Sequence, residues 1–91
     1  MADHEICNVV LTNKQGKVVS VGSAICTSDK PWHQDDTLNR AEEAAWLTYF
    51  RNNTTPEILL AMQTSDLIWN SLTMELHNLG FKREVHWSKI D

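Results

Sequence analysis

PEILLAMQTSDLIWNSLTMELHNLG, Pro56 to Gly80, is the stretch whose reading decides the fold. Ile58, Met62, Ser65, Trp69, Leu72, Leu76 and Leu79 recur four and three apart, so they share one helical face. Thr55 can cap the first turn, Pro56 suits the first helical position, and Glu57 complements the positive amino end. Gly80 can take the left-handed conformation that closes a helix, with Phe81 folding back on Leu76. The spacing predicts a helix over 56–79. Thr64-Ser65-Asp66 can also cap a new helix, so two segments meeting at a kink are the alternative. In a continuous helix, Leu60, Leu67 and Met74 fall seven apart on the opposite side. That second stripe needs its own cover: the preceding helix, a second copy of the chain, or another protein. Leu60, Leu67 and Met74 are therefore candidate self-association residues.

Toward the amino end, Glu5 to Thr27 reads as a β-hairpin. Asn13-Lys14-Gln15-Gly16 fits a type I turn followed by a glycine bulge. That turn pairs Thr12 with Val18, Leu11 with Val19, Val9 with Val21 and Cys7 with Ser23. One face then collects Cys7, Val9, Leu11, Val19, Val21 and Ile25. The other collects Asn8, Val10, Thr12, Val18, Ser20, Gly22 and Ala24. The second face is half polar, which predicts partial cover. Ser28 to Asp36 reads as a loop, because Pro31 and the polar cluster oppose regular structure. Trp32 in that loop is either a lid on the core or, with His33, Asp35 and Asp36, an exposed partner-binding anchor.

A first helix is expected from about Thr37 to Asn52, capped by Asp36. Leu38, Ala41, Ala45 and Thr48 form one face, broadened by Trp46, Tyr49 and Phe50. The small residues Ala41, Ala44 and Ala45 allow close approach to a sheet or helix. Beyond Gly80, Phe81, Val85 and Trp87 alternate with Lys82, Glu84, His86 and Ser88, a half-solvated strand in which Arg83 breaks the apolar set. The expected architecture is α+β: a three-stranded sheet with the helices packed on one face.

The 91 residues make one domain, 1–91, whose core is small enough that homodimer formation is a natural option. The net charge of −4 opposes wrapping of nucleic acid and suits a basic protein surface. Four tryptophans exceed what so small a core needs, which leaves interface anchors. No apolar run approaches the roughly 20 residues of a membrane span, and the polar amino end is unlike a signal peptide. A cytoplasmic setting and reduced Cys7 and Cys26 are the expectation.

The cysteines lack zinc spacing, and the hairpin register opposes a disulfide. His33 with Asp35 and Asp36 could ligate a divalent ion, but a cap with solvated charges explains the same residues. Phosphate-loop, dinucleotide and nucleophile-elbow motifs are absent. No cofactor or metal is implied, and no enzyme activity is expected.

The hairpin followed by Thr37-Leu38-Asn39-Arg40-Ala41-Glu42 resembles the approach to the first helix of ribonuclease H. Ile68-Trp69-Asn70 and Val85-His86-Trp87 are faintly similar to later parts of that family. The resemblance covers about 15 residues well and implies Glu42 as a magnesium ligand. The chain departs from the pattern in its first strand, where Cys7, Asn8, Val9 and Val10 stand in place of the family's aspartate. A second aspartate also has no counterpart, and a lone Glu42 cannot assemble a two-metal site. The resemblance is thus to a cut-down, inactive ribonuclease H-like fold of the kind found in HicB-type antitoxins.

The function expected from these features is a small acidic interaction protein. It would act as an inhibitor or adaptor of a larger host protein, such as a phage or mobile element encodes. The alternatives are a nucleic-acid-binding module using Lys14, Lys17, Lys82, Arg83 and Lys89, or a degenerate ribonuclease H-like domain.

Overall fold

The computed structural model describes residues 4–27 and 31–90, except the side chains of residues 31, 32 and 90. In chain order the elements are β1 (His4–Thr12), β2 (Val18–Cys26), α1 (Pro31–Asn53), α2 (Pro56–Thr64), α3 (Asp66–Asn78) and β3 (Lys82–Ile90). The strands form one antiparallel sheet in the order β2-β1-β3. The α+β architecture follows the patterning.

The hairpin turn forms as its residues dictate. The Gly16 N–H donates to the Asn13 carbonyl, and the Asn13 N–H donates to the Lys17 carbonyl, both at 2.9 Å. Asn13 Oδ1 accepts from the Gln15 and Lys17 N–H groups at 3.0 Å. Gly16 takes φ +81°, a conformation that needs glycine.

The register beyond that turn corrects the sequence reading. Thr12 pairs with Val18, but Leu11 pairs with Ser20, leaving Val19 as an extra residue in β2. Every later pair slips by one: Val9 faces Gly22 and Cys7 faces Ala24. Because strand side chains alternate, the slip turns β2 over. Ser20, Gly22 and Cys26 are buried, while Val21 and Ile25 point away from the core, 47% and 52% exposed. On β1 the expectation holds: Cys7, Val9 and Leu11 are fully buried.

The physical reason lies in α1. A Cβ placed on Gly22 would stand 2.2 Å from both the Ala41 carbonyl oxygen and the Ala45 nitrogen. The helix backbone rides directly on β2, so this face of the strand takes only small residues. Ser20 adds a tie, its hydroxyl donating to the Ala45 carbonyl at 2.8 Å. Counting hydrophobicity alone puts valine and isoleucine inside, and close helix-on-strand contact excludes them.

The expected loop over 28–36 is also corrected. α1 begins at Pro31, because proline fits the first turn of a helix, where no N–H partner is required. Asp36 is therefore no cap but an interior residue, paired with Arg40 one turn on at 3.2 Å. Residues 28–30 lie outside the described residues.

The long carboxy-terminal helix is split. Ser65, at φ −137° and ψ 111°, ends α2 and begins α3, and its hydroxyl accepts from the Ile68 N–H. Thr55 caps α2 in the same way through the Ile58 N–H. At the far end Gly80 (φ +100°) completes the left-handed cap. Its N–H donates to the His77 carbonyl, and the Phe81 N–H donates to the Leu76 carbonyl, both at 3.0 Å.

The core joins Cys7, Val9 and Leu11 to Ala41, Ala45, Trp46, Phe50 and Met62. Trp69, Leu72 and Leu76 border it, half-buried. Ile58 and Leu79, expected in the same stripe, are 45% and 58% exposed. They sit at the outer ends of two short helices whose axes part at Ser65, so one period cannot carry them all to one surface.

Candidate functional site

The three sequence-derived groups separate in space. Trp32 lies in the first turn of α1, and its side chain is outside the described residues. His33 is half-buried and lines a cleft of about 300 Å³ with Cys26, Thr37 and Arg40. Asp35 is exposed, and Asp36 is held by Arg40. Three or more metal-ligating side chains do not converge anywhere among the described residues. Glu42, the residue singled out by the ribonuclease H resemblance, is paired with Arg83 of β3.

Among the candidate cations, Lys14 and Lys17 belong to the hairpin turn, and Lys82 pairs beside Thr12 at that same end of the sheet. Lys89 sits at the other end of β3, opposite Glu5. Arg83 is committed to Glu42. Cys7 and Cys26 are both buried, and burial raises the Cys7 pKa above its ordinary value, which keeps that thiol protonated.

The self-association group has a clearer geometry. Leu60, Leu67 and Met74 are 63%, 77% and 61% exposed, so α1 does not cover them. The break at Ser65 places Leu60 on α2, while Leu67 and Met74 remain two turns apart on one face of α3. No residue of α3 is buried, although the helix contains Leu67, Ile68, Trp69, Leu72, Met74 and Leu76. Its inner residues reach α1 through ring contacts: Trp69 meets Phe50 at 6.2 Å and His77 meets Trp46 at 5.5 Å, both edge to face. Between α1 and α3 runs a cleft of about 320 Å³, lined by Asn39, Glu42, Glu43, Trp69, Asn70 and His77, among others.

The arm formed by α2 and α3 also has one-sided electrostatics. From Asn52 to Phe81 the chain has no lysine or arginine, and Glu57, Asp66 and Glu75 are its charged residues apart from histidine. All three carboxylates are exposed. Sequence reasoning found the stripe of Leu60, Leu67 and Met74 but missed this charge segregation. Its signal is the cation-free interval between Arg51 and Lys82.

Among the described residues no helix is long and apolar enough to cross a membrane. Comparison of the chain with family models, curated proteins and solved structures finds no match.

Proposed function

We propose that this protein works by binding another protein, as an inhibitor or adaptor of a larger partner, and that the α2–α3 arm is its docking element. The observation that carries the reading is α3 itself: six large apolar residues on thirteen positions, none buried. A surface helix of a self-sufficient domain hides one stripe and solvates the rest. Here the inner stripe is half covered and the outer one, Leu67 and Met74, is open. Apolar residues two turns apart on one helix are the anchors of helix-in-groove recognition. The carboxylates Glu57, Asp66 and Glu75 add charge selection. The partner that fits is an apolar groove rimmed by lysine and arginine.

The test uses the double variant Leu67→Glu, Met74→Glu beside the wild type in capture from the native host extract. The wild type should retain a partner that the variant loses, with both chains giving the same circular dichroism. A wild type that retains nothing, or a variant that retains the same protein, defeats the reading.

A further inference from the structure

The cleft between α1 and α3 is polar where packed helices are ordinarily apolar. Asn39, Glu43 and Trp46 recur four and three apart on α1, and Asn70 and His77 are seven apart on α3, so each set shares one helical face. Both faces line the same cleft of about 320 Å³, and Trp46 and Trp69 supply its aromatic surface. No lysine or arginine lines it. The side chains of Asn39, Glu43 and Asn70 have no hydrogen-bond or ionic partner among the described residues. The neighbouring carboxylate, Glu42, is neutralised by Arg83. One uncompensated negative charge therefore remains, on Glu43. A second cleft, of about 130 Å³, shares Glu43 and Trp69 and adds Asp66.

We infer that this cleft binds the guanidinium group of an arginine side chain on the partner. The inference deepens the reading of the α2–α3 arm as a docking element, and it needs that reading only to say whose arginine enters.

The lining chooses among ligand classes by its chemistry. An anion would meet the Glu43 carboxylate with no cation to hold it. A bare metal ion needs several converging ligands, and three such side chains do not converge among the described residues. An organic cation is left. A lysine ammonium is a compact, strongly hydrated charge, and one exposed carboxylate gives little return for stripping its water. A guanidinium is planar and weakly hydrated, and it stacks on aromatic faces. Its five donors suit acceptors spread over two helices: the Glu43 carboxylate and Asn39 Oδ1 on α1, and Asn70 Oδ1 on α3. The volume lies at the low end for small-ligand sites, which fits one side chain better than a whole cofactor.

Titration of the full chain with N-acetyl-arginine amide, followed in nitrogen–proton correlation spectra, tests the inference. The indole N–H of Trp69 and the side-chain amides of Asn39 and Asn70 should shift together and saturate, with half-saturation at about 5 mM. The citrulline analogue keeps the shape without the charge and should leave those signals in place. The lysine analogue should bind more weakly than arginine. Glu43→Gln should weaken arginine binding about fivefold. Glu43 is exposed, so this substitution does not threaten the fold. Absence of saturation by about 50 mM overturns the inference. So does a citrulline or lysine analogue that binds as well as arginine, or a Glu43→Gln chain of unchanged affinity. The arm's own test turns on Leu67 and Met74, which do not line the cleft, so either reading can fail without the other.

Discussion

The two sides of α1 are built to different standards. Toward the sheet, Ala41 and Ala45 meet Gly22 so closely that a single methyl group has no room, and Cys7, Val9 and Leu11 are sealed beneath. Toward the arm, Trp46, Tyr49 and Phe50 meet Trp69, His77 and Phe81 ring against ring, and α3 buries nothing fully. The seam depends on the absence of side chains and tolerates almost no change. The ring layer depends on large polarisable surfaces whose edge contacts accept small displacements. The difference teaches that the hairpin and α1, with Met62 of α2, hold the fold, while α3 is displayed by it. Regions with few buried contacts open locally at lower cost than the core, and binding elements are drawn from them.

Three substitutions can break or sharpen that contrast. Gly22→Ala should have the largest effect, because the new Cβ meets backbone atoms that cannot rotate away. We expect a loss of about 3 kcal/mol or more in denaturant unfolding. A near-normal midpoint would show that the seam can part, and the two sides of α1 would no longer differ in kind. Ser65→Ala removes the hydroxyl that accepts from Ile68 and should cost about 1 kcal/mol. Amide hydrogen exchange should then quicken in α3 and leave β1 unchanged. Equal acceleration in both would mean that arm and sheet unfold as one unit. Leu67→Glu should be nearly neutral, within about 0.5 kcal/mol, since the side chain is already in water. A large drop in melting temperature would reveal cover that the contrast denies.

How much of this was legible depended on the range of the forces involved. The Asn13–Gly16 turn, the Thr55 and Ser65 caps and the Gly80 closure are decided within a few residues, and all can be read from the chain. The face of β2 cannot, because it is set by an extra residue at Val19 and by a helix backbone arriving from Ala41 and Ala45. Pro31 misled for a different reason. Proline breaks a helix from inside but begins one readily, and its neighbours Trp32 to Asp36 do not say which applies. As for the candidate site, periodicity revealed two apolar stripes around 56–79 without saying which would be covered. Leu60, Leu67 and Met74 stay exposed because α1 lies over β2 and does not cover them, a placement that the stripe itself does not carry.

The contact at Gly22 has one more consequence. β2 is a free edge of nine residues with no charge and no proline, the kind of strand that templates fibrils. The opposite edge, β3, is studded with Lys82, Arg83, Glu84 and Lys89 and repels such growth. β2 has no such protection of its own. A helix about 10 Å across, seated on a strand whose next neighbour would lie only 4.8 Å away, roofs the place where an added strand would lay its side chains. The glycine that lets α1 descend onto the edge thus leaves little room on that face for an added strand's side chains, which predicts that variants lifting α1 will aggregate before they merely unfold.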